Sequence, residues 1–209
     1  MPNWCSTNIE FSGPEKDIKK LYEFIDNKNS EQVPNIETDF GARWLRYYLL
    51  RVGLSDERYN CRGSVADLNE ISTIGSVSKF QIRTETAWGP MLQMWLAIIQ
   101  KLELDNIKIT YIAVEPGCEV YQTNDPEQAK FYIVDLYDED AADKKIVDAL
   151  GFDDFQDVTE KQLREGLLEI FPGEDNLSTD ALIKKLDKLT DDDGINICKW
   201  SYVPAEEQG

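Results

Sequence analysis

The chain has 209 residues, 42% of them hydrophobic and 11% aromatic, and its 40 acids against 22 bases give a formal net charge of −18. That is enough apolar material for one sizeable core, or for a domain with a small appendage. No apolar run approaches the ~20 residues a membrane helix needs, and with neither a basic leader nor an apolar signal segment the expected location is cytoplasmic. The acidity is uneven: residues 1–123 hold 17 acids and 13 bases, net −4, and residues 124–209 hold 23 acids and 9 bases, net −14. Such a field repels phosphate backbones and anionic lipid, which disfavours direct nucleic-acid or membrane binding and leaves a basic host protein as the expected partner.

Histidine is absent, which removes the commonest general base, metal ligand and pH switch near neutrality. An enzyme would have to run on carboxylates, Lys, Tyr or Cys, and no catalytic set of these stands out, so the sequence leans against one. Cys5, Cys61, Cys118 and Cys198 are too widely spaced for a C-x-x-C metal or cluster clamp, so free, largely buried thiols and no cofactor are expected.

Residues 3–12 alternate, with Cys5, Thr7, Ile9 and Phe11 on one face, the period of a strand. Ser12-Gly13-Pro14-Glu15 then reads as a capping box, with Pro14 in the first turn of a helix to about Asn27 that buries Ile18, Leu21, Tyr22 and Ile25. Residues 28–41 read as loop and Ala42–Arg51 as a short helix ended by Gly53; Cys61-Arg62-Gly63 marks a strand or turn. Lys79–Thr86 alternates as a strand, and Pro90 opens a helix to about Leu104 with Met91, Trp95, Ile98, Ile99 and Leu102 on one face. Ile107–Val114 is a third strand, and Glu115-Pro116-Gly117-Cys118 carries Pro and Gly where a type II turn wants them. Cys118–Gln122 and Lys130–Leu136 read as further short strands. An acidic helical stretch follows, with helices over Ala141–Leu150, Thr159–Phe171 (with a Thr159-x-x-Gln162 capping box) and Ser178–Leu189; Ile195–Val203 reads as a closing strand.

Two strand-helix units flanking a hairpin-like middle predict an α+β fold: a split β-α-β antiparallel sheet with helices on one face, an acidic helical C-terminal segment and a closing strand. The expected divisions are 1–137 for the α+β domain, 138–193 for the acidic helical insertion and 194–209 for the closing strand and tail.

Three short segments concentrate Trp, Cys, Pro and Gly at element boundaries: Met1-Pro2-Asn3-Trp4-Cys5-Ser6, Thr86-Ala87-Trp88-Gly89-Pro90 and Glu115-Pro116-Gly117-Cys118. On these motifs the chain resembles the Api-like or YubB-like proteins of phages, plasmids and gut Bacteroidetes over roughly its first two-thirds. Gly41-Ala42-Arg43-Trp44 departs from that family's Trp-Gly-Thr-Lys-Trp block. The resemblance implies a ferredoxin-like topology, without an iron-sulfur cluster, and association with mobile elements; it implies no established activity.

Several residues are candidates for a site. Trp4 and Trp88 read as aromatic plugs or as stacking platforms, Cys5 and Cys118 as two small buried hydrophobes or as a thiol pair, and Arg62 as an anion holder or a surface turn residue. If the first strand runs parallel to the strand before the second helix, Trp4 shares a sheet end with Glu115–Cys118 while Trp88 sits at the opposite end beside Gly13. The three segments then do not converge, and pairing of Glu85 with Glu115 is ruled out. Asp191-Asp192-Asp193-Gly194 fails as a calcium loop, because counting Gly194 as its sixth position leaves both end carboxylates missing.

The leading expectation is therefore a non-enzymatic protein-binding accessory of a mobile element, with Asp138, Glu139, Asp140, Asp153, Asp154 and Asp157 as partner surface and acidic mimicry of nucleic acid as its specific form. The alternative is an enzyme or small-ligand binder that uses the sheet end of Trp4, Arg62, Glu115 and Cys118.

Overall fold

The alternation that opens the chain becomes strand β1 (Trp4–Gly13), with Cys5, Thr7, Ile9 and Phe11 fully buried on its inner face. The computed structural model describes residues 3–26, 43–55, 58–59, 61–136, 144–151, 155–190 and 194–207, and the chain divides into two compact units, residues 1–125 with 202–209, and residues 126–201. The expected loop at 28–41 lies outside the described residues. The division falls between Asp125 and Pro126, ahead of the expected 137, because Tyr132–Leu136 pairs within the second unit rather than extending the first sheet.

In the first unit, helix α1 (Glu15–Asp26) follows β1 and buries Ile18, Leu21 and Ile25. The expected capping box does not form. Ser12 stays in the sheet, paired with Lys79 and Lys108, and the carbonyl of Pro14 accepts the first helical bonds from the Asp17 and Ile18 amides. Helix α2 (Leu45–Arg51) buries Leu45, Tyr47, Tyr48 and Leu49. Strand β2 (Gly63–Leu68) and the short β3 (Ser72–Ile74) then both pair with β4 (Val77–Ala87). Helix α3 (Leu92–Lys101) buries Trp95 and Ile98 completely and leads into β5 (Lys108–Glu115) and β6 (Val120–Thr123).

The sheet order is β10-β6-β5-β1-β4-β2, where β10 (Ser201–Tyr202) starts at the division between the units; β3 pairs alongside β4. Every pair with a defined register is antiparallel. The inner face carries large apolar groups at the Gly13 end, where Phe11 meets Phe80 at 5.2 Å and Trp95 at 5.8 Å between ring centroids, the second edge-on. Edge-on and offset contacts are the arrangements aromatic quadrupoles favour. The opposite face of β1, β4 and β2 is laced with charge, Lys79 to Glu10 at 2.9 Å and Arg83 to both Asp67 and Glu85 at 2.7 Å. A one-sided antiparallel sheet presents such a face to water.

The second unit has its own three-stranded antiparallel sheet, β8 (Phe155–Val158), β7 (Tyr132–Leu136) and β9 (Ile195–Lys199), in that order. Helices α4 (Lys144–Leu150), α5 (Glu160–Ile170) and α6 (Thr179–Thr190) contribute Leu150, Leu163, Leu167, Leu182, Ile183 and Leu186 to its core. The Thr159 capping box forms in both directions, the Thr159 hydroxyl accepting from the Gln162 amide and the Gln162 side chain accepting from the Thr159 amide. The expected closing strand is divided: β9 belongs to this sheet, while β10 returns to the first.

Candidate functional site

The register of β1 against β4 decides the site. Trp4 pairs with Ala87 and Gly13 with Ser78, so β1 runs antiparallel to β4 and not parallel as the sequence suggested. The reason is β2. A helix that crosses one face of a sheet returns the chain to its original direction, so β1-α1-β2 leaves β2 parallel to β1. The hairpin from β2 into β4 then reverses β4. With β2 reduced to a strand or turn around Cys61-Arg62-Gly63, that reversal is lost from the count.

Trp88 accordingly lies at the Trp4 end, and the three segments converge. The start of β1 meets the end of β4 in register, the start of β2 pairs there through Gly63 and Thr86, and the end of β5 arrives alongside β1 through Ser6 and Val114. Glu85 and Glu115 therefore share this end too, and the topological ground for separating them falls away; both act electrostatically on Cys5.

The backbone is tied tightly here. The Trp88 amide donates to the Asn3 carbonyl at 2.9 Å and the Ala87 amide to the Arg62 carbonyl at 3.0 Å. The Thr86 hydroxyl donates to the Gly89 carbonyl at 2.7 Å. Trp88 takes φ of 67°, a left-handed conformation that costs a bulky residue energy and needs such support. Gly63 allows the close approach of β2, since a Cβ there would lie 2.3 Å from the Glu85 carbonyl oxygen.

Neither tryptophan is a plug: Trp4 is 45% and Trp88 52% exposed. The Arg62 guanidinium lies 6.0 Å from the centre of the Trp88 ring, the outer limit of a cation–π contact. Arg62 is exposed and has no ion pair among the described residues, in keeping with a surface residue at the entry to β2.

Beneath the rim, the inner face turns polar. Cys5, Thr7, Thr84, Thr86 and Glu115 are all buried. Burial pushes the Cys5 thiol up to about 11, opposed by a hydrogen bond with Thr7, so Cys5 behaves as the small buried hydrophobe expected. Cys118 does not: it is exposed. Its thiol donates to the Glu115 carboxylate, which raises its pKa, and it accepts a 3.5 Å hydrogen bond from Asn3 Nδ2. An acid partner disfavours the thiolate and makes Cys118 a poor nucleophile.

The Glu115–Cys118 segment is a 3-10 turn over Pro116–Cys118, with Glu119 left-handed at φ 55° and ψ 32°. The type II turn is absent, since the positive φ falls at Glu119 and not at Gly117. Gly117 serves instead by its missing side chain: a Cβ would lie 2.7 Å from Asn3 Nδ2 and 3.1 Å from Glu115 Oε1. Asn3 and Gly117 are site residues the sequence reading passed over, although both sit inside the conspicuous segments.

Glu115 is 5% exposed, and its Oε2 has no hydrogen-bond partner among the described residues. Among the described residues no group of three or more His, Cys, Asp and Glu is arranged to hold a metal ion. A separate groove of about 550 Å³ in the same unit is lined by Tyr59, Met91, Met94, Leu96 and Ala97, with Arg58 and Glu206 at its edge.

Of the acidic partner residues, Asp138, Glu139, Asp140, Asp153 and Asp154 lie outside the described residues, as does the Asp191–Asp193 run. Asp157 is engaged inside its own unit, accepting from Gln128 Nε2 at 2.7 Å and Trp200 Nε1 at 2.6 Å. The exposed acids of the second unit include Glu165 and Glu169 on α5 and Asp187 on α6. No protein-family model, curated protein or solved structure matches the chain.

Proposed function

We propose that this protein is a non-enzymatic binding accessory of a mobile genetic element, and that its partner is a basic protein. The observation that carries the reading is charge: residues 126–201 hold 20 acids and 9 bases, net −11. The exposed acids of α5 and α6 are in keeping with it: Glu169 and Asp187 face water, and Glu165, beside Lys161 at 3.8 Å, remains exposed. Mimicry of nucleic-acid charge is the specific form of this reading, and a cytoplasmic setting accompanies it. The strand order around β1 supports the ferredoxin-like expectation, with β5, β1, β4 and β2 in the places of a split β-α-β sheet.

The test is capture from nuclease-treated host lysate, comparing the intact chain with a Glu165→Gln, Glu169→Gln, Asp187→Asn variant. A basic nucleic-acid-handling protein should be retained by the first and reduced on the second. The interaction should also weaken steeply toward about 0.5 M salt, where the Debye length is about 4 Å. Retention indifferent to both charge and salt refutes the reading.

A second reading has its own observation. Convergence of three Trp- and Cys-bearing segments at one sheet end, over a polar patch of the inner face, favours a ligand site there. It supports a binder more than an enzyme, because the exposed thiol is paired with an acid that suppresses its ionisation.

A further inference from the structure

Among the described residues, Glu115 is the one buried carboxylate at the sheet end where Asn3, Trp4, Trp88 and Cys118 meet. We infer that Glu115 is the anchor for a cationic nitrogen donor, the ammonium or guanidinium of a basic side chain on a bound polypeptide, admitted beneath Asn3 and Cys118. The inference rests on the reading of the protein as a binder of basic partners and gives that reading an atomic contact.

The argument begins with an unmet valence. Buried polar atoms are hydrogen-bonded in the great majority of cases, and an orphan calls for an explanation such as a ligand or an ordered water. Glu115 Oε2 is such an orphan. The Cys118 thiol, hydrogen-bonded to the Glu115 side chain, brings no charge, and no Lys or Arg forms an ion pair with Glu115 among the described residues. The described groups that touch it are neutral: Cys5 on β1, Cys118 and Gly117 in the following turn, and the amide of Asn3. A carboxylate in such a place calls for a donor, and a charged donor bonds it most strongly.

The cover is also thin. Asn3 and Cys118 are both exposed, and what joins them is a 3.5 Å N–H···S contact, among the weaker bonds a side chain makes. Swinging the Asn3 side chain aside is the least costly way to open the carboxylate to solvent. Gly117 lets the Asn3 amide lie close over the turn, since a Cβ there would stand 2.7 Å from Asn3 Nδ2.

The rim suits a cation. Trp4 and Trp88 are both about half exposed, and tryptophan is the best aromatic partner for an ammonium or guanidinium. Trp88 is held outward in a strained conformation by its bond to the Asn3 carbonyl, so Asn3 is shared between the rim and the cover. Finally, a net charge of −18 concentrates cations at the surface and speeds their encounter.

The test uses the full chain and three probes of one shape: n-butylammonium, n-butylguanidinium and n-butanol. Binding is read from the Asn3 side-chain amide and the Trp4 and Trp88 indole signals by NMR. Both cations should shift these signals saturably, with a dissociation constant of order 1–10 mM, fitting for a ligand of so few atoms. n-Butanol should not. Glu115→Gln, folded by circular dichroism, should weaken the cations at least about tenfold, the equivalent of ~1.4 kcal/mol. Asn3→Ala, which removes the cover over the carboxylate, should tighten both cations.

Equal binding to Glu115→Gln, an equal response to butanol, or no saturable response in the native chain overturns the inference. Should Glu115→Gln fail to fold, cation binding by Asn3→Ala no tighter than the native chain's overturns it instead. A lysate partner held by the α5 and α6 acids, with no cation response here, leaves the proposed function standing and removes only this site. A cation response without a basic partner does the reverse.

Discussion

Substituting Gly63 by alanine tests how the site is assembled. An alanine Cβ would stand 2.3 Å from the Glu85 carbonyl oxygen, 2.8 Å from Thr86 Cγ2 and 2.9 Å from Thr86 Cα. Two of these three are backbone atoms of β4, which cannot rotate away, so the start of β2 must separate from β4 by roughly 1 Å to restore ordinary contact. Overpacking of this kind costs about 1–3 kcal/mol. Loss of the 3.0 Å bond from the Ala87 amide to the Arg62 carbonyl adds about 1 kcal/mol, and the stiffer unfolded chain returns about 0.4–1 kcal/mol. The expected net loss is about 1–3.6 kcal/mol, read by urea denaturation, together with faster hydrogen exchange at the Ala87 amide. Gly117→Ala is the matched control. Its Cβ meets the free end of the exposed Asn3 side chain at 2.7 Å, which can swing clear, so stability should change by no more than about 0.5 kcal/mol. Equal costs at the two glycines, or a Gly63→Ala loss below about 0.5 kcal/mol, would refute the distinction between backbone and side-chain contact on which the site's construction rests.

Burial raises the Cys5 thiol from its ordinary 9.0 to about 11, so between those values the unfolded chain has lost a proton that the folded one keeps. The thiol's contribution to stability is thus intact below about pH 9 and falls by up to about 2.7 kcal/mol toward pH 11; comparing the alkaline denaturation slopes of the native chain and Cys5→Ala measures it. Native-state thiol labelling at pH 8 should modify Cys118 well before Cys5, and simultaneous labelling would contradict the burial of Cys5. Thr159→Ala removes the hydroxyl that accepts from the Gln162 amide, one half of the reciprocal cap on α5, and should cost about 1 kcal/mol in the second unit, visible as a lower urea midpoint. Trp88→Asn relieves a left-handed tryptophan with a residue that tolerates the conformation, so stability should hold or rise by about 1 kcal/mol, while cation binding at the rim falls. Trp95→Ala empties the centre of the first unit's core and should cost about 3–5 kcal/mol, measured by thermal unfolding.

Much of the local structure was legible because it is encoded locally. Strict alternation from Cys5 to Phe11 marked β1 and its buried face, and the helical spacing of Ile18, Leu21 and Ile25 marked α1. The Thr159-x-x-Gln162 pattern marked the start of α5, since a cap is made by residues three apart. The misplaced cap at Ser12 shows the limit: the same pattern was overridden when Ser12 gained strand partners on both sides, Lys79 and Lys108.

The strands that went unread, or were read only as a strand or turn, are those whose sequence says little. β2 has Gly, Ser and Ala among its six residues and an irregularity between Val65 and Asp67 that breaks its alternation; β8 exposes three of its four residues. Yet β2 sets the direction of β4, and so decides that Trp4, Trp88 and Glu115 share one end of the sheet. The amino-acid sequence determined the α+β class, most helices, the buried faces and the charge that repels other anions. Tertiary structure decided which ends meet, where the second sheet begins and which carboxylate is left without a partner. The physical reason is range: side-chain periodicity and capping act over a few residues, whereas strand direction, register and the orphaned Glu115 oxygen depend on pairings between segments dozens of residues apart.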